Sequence, residues 1–413
     1  MRPLGSSRAH VLPLAAFLVT CSAAPSLAQT RAPVPTEVTR VPQTAFSLCP
    51  CLNVVSREEV IPGTALAVSP DGRFRLSYFQ TPSGAHFDLL DRDSGEKRQF
   101  DAAVPKIPPG IVWRILEAEF SPDSRWLAVR TIGATWIFPA GLTQPVWTIA
   151  ADSDKEIYPG KMSWGGDHLA VIFWPAESFL ADAEPKKPVQ VKIFDAPTGA
   201  VALTFNLPLA LSDSWTVPRL SPDALEIAVL ERARRWPGKA RLLLFSTRTG
   251  KSLWERNLSA EDIAWSADGK RLLSLGSELT WLDSSTATPV RQTAGSSAHS
   301  DLQRLTINEN AGLALGRFAE YSAFARALGG GKKRVTHFIL WNLPANRDFC
   351  QETFVPEVSA DPWITSRGEI ISLEETYDVR PPLRLLKSAR IITYKFTPPP
   401  SAQSPPPSKP ASP

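Results

Sequence analysis

The chain has 413 residues, 43% hydrophobic and 21% charged, with a formal net charge of +4. That apolar content exceeds what a disordered chain carries, and so mild a charge leaves no electrostatic footprint for nucleic acid. Five histidines, of which His86, His168, His299 and His337 fall in different parts of the sequence, form no transition-metal cluster.

Residues 1–28 read as a secretory signal peptide. Arg2 and Arg8 supply a positive start, and Val11–Thr20 is apolar but too short to span a membrane. Ser26-Leu27-Ala28 places small residues before a cut after Ala28. Leu18-Val19-Thr20-Cys21 is similar to a bacterial lipobox, with Thr20 where a smaller residue is expected, so lipidation at Cys21 is the lesser alternative. No later stretch reaches about 18 uninterrupted apolar residues, so no transmembrane segment is expected. Residues 29–44, with Pro33, Pro35 and Pro42, read as an extended leader, and Phe46–Ile61 as holding a strand.

The stretch Thr64–Phe100 sets the pattern for the rest. Phe74, Leu76 and Tyr78 alternate with Arg73, Arg75 and Ser77, a period-two strand signal. Ser69-Pro70-Asp71-Gly72 is a turn: Pro70 presets φ, Asp71 accepts backbone hydrogen bonds and Gly72 tolerates positive φ. A third strand ends at Leu90-Asp91, and a second turn at Asp93-Ser94-Gly95 leads to a fourth. The first turn recurs at Asp71, Asp123, Asp167, Asp223, Asp268 and Asn310, 42 to 56 residues apart, with Arg367-Gly368 in seventh place. That period suits propeller blades rather than helical solenoids. Residues 397–413 contain eight prolines and read as a disordered, proline-rich tail.

Ser69-Pro70-Asp71-Gly72, Ser121-Pro122-Asp123, Ser221-Pro222-Asp223 and Ser266-Ala267-Asp268-Gly269 carry a resemblance to the WD40-like and TolB-type propeller repeats. Leu90-Asp91, Phe194-Asp195, Leu282-Asp283 and Trp341-Asn342 stand where that family often has Trp-Asp. The Gly-His dipeptide of strict WD40 repeats is missing, which points to a divergent bacterial variety. The resemblance implies an all-β, seven-bladed ring of four-stranded antiparallel blades over residues 45–396, used as a binding platform without fixed catalytic residues. The seventh unit shows three clear strands, so Phe46–Ile61 is expected to supply the fourth and close the ring.

Cleavage after Ala28 leaves Cys49, Cys51 and Cys350 in an oxidising compartment, enough for one disulfide and one thiol. Ring closure would bring Cys49 and Cys51 near Cys350, and a bridge from one of them to Cys350 is expected. Cys49-Pro50-Cys51 without histidine partners is a weak metal motif, so no metal and no cofactor is expected.

Insertions between second and third strands mark the expected binding face. They are Pro175–Lys187, Arg232–Lys239, Phe318–Arg334 and Glu375–Arg390. The last three carry +4, +3 and +2, together more than the net +4 of the whole chain. Arg232, Arg234, Arg235, Trp236, Lys332, Lys333, Arg334, Arg384 and Lys387 are the candidate contacts. Phe318, Tyr321, Phe324, Ala325 and Leu328 recur at helical spacing, and a short capping helix is expected there. Trp215, Trp236 and Trp363 are placed near loops, where they could stack on a sugar or aromatic ligand. The expectation is a monomeric, exported, non-enzymatic propeller that binds a protein or an acidic envelope component. The alternative is a hydrolase or lactonase working in the central channel, which needs converging carboxylates or histidines.

Overall fold

The turns fold each repeat back on itself through one hydrogen-bond pattern. Ser69 Oγ donates to Asp71 Oδ1 at 2.5 Å and accepts the Phe74 N–H at 2.8 Å, while Asp71 Oδ1 accepts the Arg73 N–H at 2.9 Å. The hydroxyl-to-carboxylate bond recurs as Ser121–Asp123, Ser221–Asp223 and Ser266–Asp268, at 2.6 to 2.7 Å. The next position is left-handed in each: Gly72, Ser124, Ala224 and Gly269 have φ from 57° to 72°. The aspartates are therefore spent on backbone N–H groups and turn serines.

A computed structural model describes residues 52–81, 84–102, 115–131, 133–150, 157–175, 188–209, 214–233, 240–276, 279–293, 302–309, 312–321, 334–344, 347–353, 358–380 and 383–397. Among them are 28 strands, in seven four-stranded antiparallel sheets, and no helix. β1 is Leu52–Val60. Blade one follows as β2 to β5: Ala65–Val68, Phe74–Thr81, Gly84–Asp91 and Lys97–Ala102. Blade two is β6 to β9: Ile115–Phe120, Trp126–Thr131, Ala134–Pro139 and Trp147–Ala150. Blade three is β10 to β13: Ile157–Gly165, His168–Pro175, Gln190–Asp195 and Val201–Asn206. Blade four is β14 to β17: Ser214–Leu220, Glu226–Ala233, Ala240–Ser246 and Ser252–Leu258. Blade five is β18 to β21: Asp262–Trp265, Arg271–Leu275, Leu279–Asp283 and Pro289–Thr293. Blade six is β22 to β25: Leu302–Asn308, Leu313–Tyr321, Arg334–Asn342 and Arg347–Thr353. Blade seven starts with β26 to β28: Val358–Ile364, Glu369–Arg380 and Leu383–Phe396.

β1 completes blade seven, pairing with β28 from Leu52↔Phe396 to Val60↔Ala389. The chain is a seven-bladed β-propeller closed by its N-terminal strand. Antiparallel order puts the first-to-second and third-to-fourth strand turns on one face. The second-to-third strand hairpins and the blade-to-blade connections share the other.

Packing between blades is apolar, in separate clusters. Between blades three and four, Ala170, Ile172, Val191 and Ile193 meet Ile227, Val229, Leu243 and Phe245. Tryptophans add hydrogen-bonded ties from blade to blade. Trp164 Nε1 donates to Glu119 O at 3.1 Å, and Trp265 Nε1 to Arg219 O at 2.8 Å. Trp147 Nε1 donates to Ala196 O, and Trp254 Nε1 to Ser284 O, both at 2.6 Å.

The structure corrects the reading of the insertions. Phe318 and Tyr321 belong to β23 and Arg334 to β24, so the helical spacing there is incidental to a strand pair ending at Tyr321↔Arg334. Residues 322–333, with Phe324, Ala325 and Leu328, lie outside the described residues. Glu375–Arg390 is a ribbon, not a loop: β27 and β28 stay paired to Arg380↔Leu383. Its Thr-Tyr-Asp-Val and Leu-Arg-Leu-Leu arms have the period and residue types of strands, broken by Pro381-Pro382.

Candidate functional site

The innermost strands bring charges toward the axis. Glu117 on β6 accepts from Arg130 on β7 at 3.0 Å and lies 3.5 Å from Lys161 on β10. Arg219 on β14 places Nη2 3.0 and 3.1 Å from the two oxygens of Asp262 on β18, and its Nε donates to Ile263 O at 2.9 Å. Asp262 also accepts the Ile263 N–H at 2.8 Å and the Leu305 N–H at 2.9 Å. Arg317 on β23 lies 2.8 Å from Asp361 on β26.

Burial pushes the Glu117 carboxyl up, but Lys161 and Arg130 outweigh it and hold it below its ordinary value. For Arg219 burial is the largest influence and opposes the charge, yet Asp262, Glu119 and Glu117 raise its pKa. Glu117 is thus an ionised partner of cations. A general acid needs the opposite, a carboxyl whose proton is retained. Among the described residues no group of three or more His, Cys, Asp or Glu side chains is arranged to hold a metal ion.

Away from the axis, the hairpins of blades six and seven rise above their inner strands. Among the described residues, the last pair that β22 makes with β23 is Leu302↔Phe318, and Ala319, Glu320 and Tyr321 continue beyond it, paired to β24. In blade seven, among the described residues, the last pair of β26 with β27 is Val358↔Thr376, while Tyr377 to Arg380 continue opposite Leu386 to Leu383. At ~3.3 Å per residue these two-stranded ribbons extend about 10 and 13 Å past the inner strands. β23 and β24 both adjoin β26, so the ribbons belong to neighbouring blades on one face.

The predicted contact residues divide between ribbon and blade. Arg334 opens β24 opposite Tyr321, and Arg384 lies on β28 opposite Val379. Lys387 is exposed at the bulge where the register passes from Thr376↔Ser388 to Tyr377↔Leu386. Arg232 is on β15, not in a loop. It is half-buried, donates Nη1 to Glu261 O at 2.9 Å and pairs Nη2 with the Glu261 carboxylate, tying blade four to blade five. Arg234, Arg235, Trp236, Lys332 and Lys333 lie outside the described residues, as do Cys49 and Cys51. Cys350 is on β25 opposite Leu340. Two of the three tryptophans placed near loops lie in strands. Trp215 is on β14 opposite Arg232, and Trp363 is on β26, packed against apolar clusters.

Sequence reasoning missed the axial charges. Their signal was a charged residue inside an otherwise apolar inner strand, as in Leu116-Glu117-Ala118-Glu119-Phe120 and Pro218-Arg219-Leu220. No family model matches this chain, and no curated protein does.

Proposed function

We propose that this protein is an exported, non-enzymatic binding platform whose partner docks on the face bearing the blade-six and blade-seven ribbons. The observation that carries the reading is the pair of neighbouring ribbons continuing past the last residues shared with β22 and β26. Strand pairs that leave the sheet stabilise the ring little, so their length favours a role in contact. Arg334 and Arg384 lie on these ribbons and Lys387 at the base of one, which suits a protein or an envelope component with acidic groups. The neutralised carboxylates at the axis favour a binder over a channel hydrolase. The resemblance to TolB-type repeats supports the same reading, and the Arg2-to-Ala28 segment supports export.

The test shortens one ribbon. Joining Tyr377 to Leu386 through Asn-Gly keeps a hairpin turn and removes Asp378 to Leu385. Capture of a partner from an envelope extract should be lost with an unchanged thermal melt. Capture by the parent chain should weaken as salt rises, because exposed charges are screened within about 8–10 Å. Full capture by the shortened chain would reject this face.

A further inference from the structure

Six of the seven blade-to-blade contacts draw apolar side chains from the second and third strands of both blades. The contact between blades seven and one differs. Blade seven contributes Ile371, Leu373, Ala389 and Ile391, whereas blade one contributes Leu66 and Val68, both on its innermost strand. The side of β3, β4 and β5 that turns toward blade seven is polar. Cross-strand pairing sets it out in rows: Arg75–Leu90–Lys97, then Ser77–Asp88–Gln99, then Phe79–His86–Asp101. The opposite side of the same strands carries Leu76, Tyr78, Phe87 and Leu89, packed against blade two.

This interface holds a groove of about 390 Å³ between β1 and the polar rows. Its volume falls in the range of small-ligand sites, about 300–1,000 Å³. Arg75 lines it and is 8% exposed. One Arg75 nitrogen pairs with Glu58 at 2.7 Å, but its buried Nε has no hydrogen-bond partner. A buried guanidinium N–H without an acceptor is costly.

We propose that this groove binds a short neutral saccharide. Its charges are of both signs: Arg75 and Lys97 stand against Glu58, Glu59 and Asp88. An anionic ligand attracted to the cations meets the carboxylates, and a cationic ligand meets the reverse. A sugar hydroxyl both donates and accepts, so it satisfies either sign without introducing charge. Ser77 and Gln99 add a hydroxyl and an amide between the charged groups. Phe79 at one end, with Val60 and Ile61, offers an apolar surface for the C–H face of a pyranose ring. None of the ribbon residues Asp378 to Leu385 lines the groove, so either reading can fail without the other.

The test is calorimetry and thermal melting of the full chain with glucose, N-acetylglucosamine and cellobiose as neutral probes. Glucuronate and glucosamine are the charged controls. At least one neutral probe should bind with Kd of about 1 mM or tighter and raise the melting temperature. Gln99→Leu, an exposed substitution, should weaken that binding roughly tenfold, and Arg75→Met should abolish it. Should Arg75→Met not fold, Gln99→Leu together with Lys97→Met decides. Three results would overturn the proposal: no binding of any neutral probe at about 20 mM, tighter binding of either charged control, or neutral-probe binding unchanged in folded Gln99→Leu and Lys97→Met.

Discussion

Arg367 of blade seven holds both carboxylate oxygens of Asp93 on blade one, at 2.7 and 2.9 Å. A second arginine crosses the same seam in the other direction: Arg92 of blade one lies 2.7 Å from Glu369 of blade seven and donates to Gly72 O at 2.7 Å. The two ties differ in exposure. Both side chains of the Arg92–Glu369 pair are 20% exposed, against 39% and 51% for Arg367–Asp93. Hence Arg92→Ala should destabilise by about 1.5–3 kcal/mol, and Arg367→Ala by about 0–1 kcal/mol. Urea unfolding of both variants measures the order, and a larger loss from Arg367→Ala would contradict it.

Acid should loosen the turn face first. The Arg73 guanidinium holds Asp91 below its ordinary 3.8, at about 2. Arg367 lowers Asp93, and the hydroxyls of Ser285 and Thr286 lower Asp283. A carboxyl whose folded pKa lies below its unfolded one binds its proton more readily when unfolded. The stability it contributes is complete above about pH 4 and is lost as pH falls toward about 2. Glu374 works the other way, because burial raises it. NMR titration should find Asp91 shifted upward in Arg73→Ala, and circular dichroism should place acid unfolding in that window.

Two equivalent turns give a matched pair of glycine substitutions. Gly72 and Gly368 have φ of 72° and 71°. A Cβ on Gly72 would meet the Thr365 side chain at 3.0 to 3.2 Å, whereas one on Gly368 meets nothing within 4 Å. Gly368→Ala should therefore cost about 1–2 kcal/mol for left-handed backbone alone. Gly72→Ala should cost more, by up to about 1–3 kcal/mol of overpacking against Thr365. Equal losses in thermal melts would mean that Thr365 moves aside.

The tryptophan ties are testable one at a time. Trp265→Phe keeps most of the buried ring but removes the 2.8 Å bond to Arg219 O. It should cost about 1 kcal/mol or more, since the carbonyl between blades loses its donor. Chemical unfolding against the parent chain reads it, and an unchanged midpoint would mean that the carbonyl finds another donor.

The architecture was legible because the turn chemistry is local. Ser69, Asp71 and Gly72 act within five residues, so seven imperfect units sufficed to read blades and their closure. The ribbons were less legible. Tyr321 and Phe318 fit helix and strand spacing alike over so short a run, and the partner strand that decides is contributed by Arg334 to His337. Arg232 was misplaced for a different reason: its carboxylate, Glu261, is 29 residues away and belongs to the next blade. Polar residues alternating on β3 read equally as a solvated face, and only the approach of β1 makes that face one wall of a groove.

The closing strand also sets an order of events. Among the described strands, β1 is the first to leave the ribosome, and its sheet neighbour β28 is the last. Asn53 and Thr397, which share a hydrogen bond, stand 344 positions apart. Each of blades one to six can form from local hairpins as it is made, but blade seven stays incomplete until β28 is made. A chain arrested or clipped before Leu383 would thus retain most of its blades while β1 stood as an unpaired edge, open to the same strand of another copy.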